Sequence, residues 1–183
     1  MATFGSTATT GGAFSTVTNN VKQGTEQTLA EDGTVSKLTA YLTGLGGGAG
    51  TQVAKGVIYN DDAAGAEPGT LMGTSNEVTT AQNDAAAWVD FTFASAVSLT
   101  AGNWIIGLIY GATSNVIQVY RVTGSGASYS DVDTYVGGAA DPWSADPTLT
   151  VRVYSIYATY TVASSACPIN LLRPHIIPAL GGP

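Results

Sequence analysis

Apolar and polar residues alternate in short runs along most of the chain, with the period of two that marks half-buried strands. Residues 35–42 place Leu38, Ala40 and Leu42 on one face and Lys37, Thr39 and Tyr41 on the other. Residues 88–93 repeat the pattern, with Val89, Phe91 and Phe93 opposed to Trp88, Asp90 and Thr92. Residues 149–160 predict the longest strand, with Tyr154, Ile156, Ala158 and Tyr160 on a common face. Residues 103–110, NWIIGLIY, are apolar on both faces and predict a central strand covered on both sides. Further strands are predicted over residues 52–59, 70–79 and 116–122. Residues 81–87 are the one short helical candidate, interrupted by Asn83 and Asp84. Gly-, Asn- and Pro-rich turns separate these runs at residues 44–50, 60–69, 100–103, 124–126 and 137–142. Short strands between such turns predict an all-β fold, an antiparallel β-sandwich of jelly-roll type.

The pattern breaks after Tyr160. Residues 163–183 hold four of the seven prolines, yet carry Ile169, Leu171, Leu172, Ile176, Ile177 and Leu180. Proline lacks an amide donor and fixes φ, so this stretch is neither helix nor central strand. An extended apolar arm needs a groove to lie in, on its own domain or on a neighbour. The expected organisation is therefore an N-terminal extended segment at residues 1–20, a β-sandwich at 21–162 and an extended C-terminal arm at 163–183.

Composition narrows the function. The chain has 183 residues and a net charge of -7, with charged residues at only 10%. No basic patch for nucleic acid is expected from thirteen acidic against six basic residues. No apolar run approaches a membrane span, and the first residues lack the pattern of a secretory signal. One cysteine, Cys167, and one histidine, His175, leave no disulfide within the chain and no multi-Cys or multi-His metal site.

The candidate chemistry is thin. The glycine run at residues 44–51 leads into a strand rather than a helix, so it reads as a hairpin loop and not a phosphate cradle. Asp61, Asp62 and Glu67 in one turn, and Asp131, Asp133, Asp141 and Asp146 in another region, offer oxygen ligands of the kind calcium takes. Their spacing also suits ordinary turns. No nucleophile elbow is present, and His175 sits in the arm, so no enzyme and no cofactor are expected. Tyr110, Tyr120, Tyr129, Tyr135, Trp143 and Tyr154 are candidate rings for stacking on sugars, with Tyr135 and Trp143 the foremost glycan-facing pair. The alternative for all six is packing within the sheet.

Four segments carry a resemblance: GTVSKLTAYLTG, KGVIYNDDAAGAEPGTLMGTSNEV, WVDFTFASAVSLTAGNWIIGLIYG and VRVYSIYATY. Over residues 25–160 the chain resembles a jelly-roll, carbohydrate-binding-like β-sandwich domain of tailed-phage virion proteins and of some bacterial surface proteins. The resemblance implies no catalytic residues. It implies a structural virion protein made without a signal peptide, a capsid decoration protein or else a minor tail, neck or fibre protein. The Pro-rich arm lies outside the resemblance; its apolar residues named above are expected to hold the partners, other virion proteins and copies of itself, with no nucleic acid and no membrane. The alternative is a carbohydrate-binding module for a host surface glycan.

Overall fold

The computed structural model describes residues 1–45, 50–62, 67–111, 116–143 and 147–164. Among them are eleven strands, one turn of 3-10 helix and no α-helix. The strands are β1 (Ala2–Gly5), β2 (Ala13–Thr16), β3 (Val21–Leu29), β4 (Gly33–Gly44), β5 (Thr51–Asp62), β6 (Glu67–Ala81), β7 (Ala87–Leu99), β8 (Gly102–Tyr110), β9 (Ile117–Val132), β10 (Thr148–Tyr154) and β11 (Ile156–Val162). The helical turn covers Tyr135–Gly137.

Every strand pairing is antiparallel. The order is β1-β11-β4-β9-β3-β8-β5-β6, with β10 and β2 also on β9, and β7 on β4. Phe4 of β1 and Ile58 of β5 stand near opposite ends of this order but share one core, so the sheet curls and packs its inner face on itself. The alternating positions supply that core: Leu38, Ala40 and Leu42 from β4, Phe91 and Phe93 from β7, and Ile156, Ala158 and Tyr160 from β11. The architecture is all-β and consistent with the sandwich class.

Strand β8 runs between β3 and β5. Its even-numbered residues Trp104, Ile106, Leu108 and Tyr110 enter the inner core. Ile105 and Ile109 enter a second cluster on the outer face. Burial on two faces explains why this run has no polar alternation.

Three expectations are modified. Residues 1–20 are extended but not separate, because β1 pairs with β11 and β2 pairs with β9. Tyr120 Oη accepts a hydrogen bond from Gly12 N at 2.8 Å, which holds the intervening loop. The long run at 149–160 is two strands that part at Ser155. There the chain changes neighbour, from β9 to β4. Ser155 is fully buried; its N donates to Tyr120 O and its O accepts from Tyr41 N, both at 2.9 Å. Residues 81–87 form a turn, not a helix: Asp84 Oδ2 accepts from Ala81 N at 2.7 Å, and the carboxylate competes locally with helical bonding.

Candidate functional site

The outer face of β3, β8 and β5 is not open. Residues 133–143 cross it and bury Val57, Tyr59, Ile105, Ile109, Tyr129, Tyr135 and Trp143 in the second cluster. At its centre Lys22 is fully buried, and its Nζ donates to Asp133 Oδ2 at 2.8 Å. The same ammonium lies 4.7 Å from the Trp143 ring centroid and 5.5 Å from that of Tyr59. Tyr59 Oη donates to Ala140 O at 2.6 Å, and Tyr135 Oη donates to Glu77 Oε2 at 2.8 Å. Gly111 is required here, because a Cβ would run into the Tyr135 ring.

This corrects the expectation of exposed rings. Tyr135 is 7% exposed and Trp143 3%, and both face inward to the sheet rather than outward to a glycan. Tyr110, Tyr120, Tyr129 and Tyr154 are buried as well. A buried cation and an aromatic ring attract one another, and Trp143 of the crossing segment lies against the Lys22 ammonium. The aspartates of the region are also committed. Asp133 binds Lys22 and the Ala140 amide, and Asp141 Oδ1 accepts from Leu71 N. Among the described residues no three Asp, Glu, His or Cys side chains converge on a metal position. Asp146 and the side chains of Asp62 and Glu67 lie outside the described set.

Burial raises the phenols of Tyr59, Tyr110, Tyr135 and Tyr154 above the ordinary tyrosine range. Asp133 and Asp141 add to the effect at Tyr59, and the Glu77 carboxylate adds to it at Tyr135. A raised folded-state value favours the neutral ring, so the contribution to stability is complete below pH 10 and is lost as pH climbs above it. Alkaline titration followed by phenolate absorbance should therefore show these four of the nine tyrosines ionising in one cooperative step with unfolding.

A different aromatic group lies on the outer face of the β7-β4-β11 layer. Phe14 stands 5.5 Å from Tyr41 and 5.2 Å from Tyr120; Trp88 stands 5.1 Å from Tyr41 and 5.2 Å from Tyr157. Trp88 is 37% exposed, while Phe14, Tyr41 and Tyr157 are half-buried. Strand register explains the grouping, since Tyr41 is opposite Trp88 and Thr39 lies between Asp90 and Tyr157. Beside the rings, Asp90 accepts from Lys37 Nζ at 2.6 Å and from Thr39 Oγ1 at 2.7 Å. Burial alone would raise the Asp90 carboxyl, but these two hydrogen bonds and the Lys37 charge outweigh it and hold it below the usual carboxylate value. Flat rings beside a fixed carboxylate, ammonium and hydroxyl can stack on an apolar ligand face and bond its hydroxyls. The sequence signal for this surface was the polar phase of the alternation, which contains Tyr41 and Trp88.

The third feature is the end of β11. Val162 pairs with Gly33, and Ala163 N donates to Asp32 O at 2.9 Å. The arm residues Ile169, Leu171, Leu172, Ile176, Ile177 and Leu180, with Cys167 and His175, lie outside the described residues. No protein-family model matches this chain, and no curated protein matches it.

Proposed function

We propose that this chain is a non-enzymatic structural virion protein of a tailed phage. It is an accessory jelly-roll-like β-sandwich attached to neighbouring subunits through its C-terminal arm. Capsid decoration is the role best suited to it; a minor tail, neck or fibre position is the other. One observation carries this reading: the sequence after the last strand is apolar yet punctuated by four prolines, a run that is neither helix nor central strand. Its six apolar residues need a surface to cover them, and an extended apolar arm of this kind favours a partner surface. The low density of charge supports the same reading, because fewer ions need desolvation when copies pack together.

A second reading, a carbohydrate-binding module, is favoured by the Trp88–Tyr41–Tyr157 surface. Light scattering separates the two readings. The full chain is expected to self-associate and a chain ending at Ser164 to be monomeric. A monomeric mass for both chains would remove the support for assembly through the arm. The variant Trp88→Ala should keep the native mass. If the second reading is right, it should also lose at least tenfold in retention on immobilised neutral glycans, by the loss of one stacking ring.

A further inference from the structure

Of the six basic residues, five lie in the described body. Three of them have partners. Lys22 pairs with Asp133, Lys37 pairs with Asp90, and Lys55 Nζ stands 4.9 Å from the centre of the Tyr135 ring. The other two, Arg121 and Arg152, share one place in the fold. Neither has a carboxylate within ion-pairing distance among the described residues.

Strand pairing brings the two arginines together. Arg121 of β9 is opposite Tyr154 of β10, and Thr123 is opposite Arg152. Directly opposed residues share a face, as do residues two apart on one strand. The arginines are thus diagonal neighbours on one face, about 7 Å apart at their roots, with Tyr154 next to both. Both are half-buried and Thr123 is exposed, so this face opens to solvent. Tyr154 itself is buried. Burial pushes its phenol up, and the charges of Arg152 and Arg121 pull against that from beside the hydroxyl. Ser128, whose Oγ is 2.7 Å from Thr150 Oγ1, acts on the same hydroxyl.

The ladder is broken at this point. Arg152 pairs with Thr123 and Val151 with Ala127, so residues 124–126 loop out of β9. Gly124 and Gly126 take φ of +105° and +82° there. Such a bulge bends its strand and re-aims the side chains beside it, a frequent setting for a site. Tyr120 precedes Arg121 and points to the opposite face of β9, so the arginines are separate from the aromatic group around Trp88.

Two guanidiniums side by side repel one another, and like charges on adjacent strands destabilise a sheet. Acidic residues outnumber basic ones by thirteen to six, yet none of the described carboxylates relieves this pair. The donors approach from three sides: one guanidinium from β9, one from β10, and the phenol beneath. A carboxylate offers two oxygens in one plane. A phosphate or sulfate offers oxygens in three directions, and the arginine fork matches two of them at a time.

We infer that Arg121, Arg152 and the Tyr154 hydroxyl form a binding site for a tetrahedral oxyanion, the phosphate or sulfate group of a small ligand. Each guanidinium supplies charge and N–H donors, and the neutral phenol supplies an O–H donor. The anion relieves the repulsion between the arginines.

Titration calorimetry on the full chain tests this, with sodium phosphate, sodium sulfate, glucose 6-phosphate and glucose added at fixed ionic strength, because salt screens exposed charges. Phosphate and sulfate should bind saturably at one site per chain, and glucose should not bind. Arg121→Gln and Arg152→Gln should each weaken phosphate by about tenfold or more, the loss of a charge-assisted hydrogen bond. Tyr154→Phe should weaken it by less, and Lys55→Gln should leave it unchanged. In chloride alone Arg152→Gln should unfold no earlier than the parent chain, because one of two repelling charges is gone; Arg152→Lys keeps the charge without the fork and should bind phosphate with an intermediate affinity. Glucose 6-phosphate binding as tightly as phosphate would assign the site to an ester group on a larger ligand. Its exclusion with phosphate retained would assign the site to the free ion, and both results support the site. No saturable binding of phosphate or sulfate, or equal phosphate affinity in Arg152→Gln and the parent chain, would overturn the inference.

Discussion

Replacing Asp133 with alanine is expected to destabilise the protein by about 3–5 kcal/mol, the range for breaking a buried ion pair from one side. Lys22 has no exposed surface, and Asp133 is its anionic partner at 2.8 Å. The rings of Tyr59 and Trp143 contribute to holding the ammonium, but a ring quadrupole is worth only about 0.5–2 kcal/mol and does not replace a carboxylate. The substitution also removes the acceptor of the Ala140 amide, and with it the anchor of the segment that covers β8. The double variant Lys22→Met/Asp133→Ala should recover most of the loss, because a methionine fills the same space and needs no counter-charge. Urea denaturation of the three proteins measures both effects. A loss under about 1 kcal/mol for the single variant would mean that water reaches Lys22.

Phe91→Ala should cost a similar amount, about 3–5 kcal/mol, by a separate mechanism. Phe91 is fully buried at the middle of β7, facing the inner core, and its Cβ lies against the space beside Gly56. Gly56 has no side chain with which to refill the cavity, and the neighbouring strands β4 and β5 are held by ladders on both sides. Thr92→Ala, one residue on and exposed, should change stability by no more than about 0.5 kcal/mol. The contrast between adjacent positions is a direct reading of the strand period. Equal losses at both would mean that β7 is not alternately buried.

Alternation made most of the sheet legible. Strands β4 and β7 followed from where Leu, Val and Phe recur, because burial on one face enforces a period of two, and β8 from a continuous apolar run between turns. Strand β3 was missed for the same reason: VKQGTEQTL buries Lys22, Gly24 and Thr25 and has few large apolar residues to signal its faces. Strands β1 and β2 are four residues each and draw their order from partners more than a hundred residues away. Ser155 as the point of exchange between two neighbours leaves no trace in a pattern that stays in phase across it. The surface fared less well than the core. Tyr135 and Trp143 sit in a turn-rich stretch that reads as exposed, and only tertiary partners draw them inward, Lys22 for Trp143 and Glu77 and Lys55 for Tyr135. Trp88 and Tyr41 were placed on the outer phase of their strands, yet their meeting depends on the register of β4 with β7. Register is a property of pairing and not of either run alone.

The pairing of β1 with β11 has a mechanical consequence. Ala2 lies opposite Tyr160, and the two strands run antiparallel, so residue 2 and residue 162 emerge at the same end of the ladder. A pulling force applied between those two points would open β1 from β11 like a zipper, rupturing its hydrogen bonds one after another at low load. Strand β11 would stay seated, because its other edge is bonded to β4 along its whole length. A tether fixed at residue 162 and resisted elsewhere in the body would load the β11–β4 ladder in shear, where the bonds share the force. The same molecule would then be compliant at its first strand and stiff at its last.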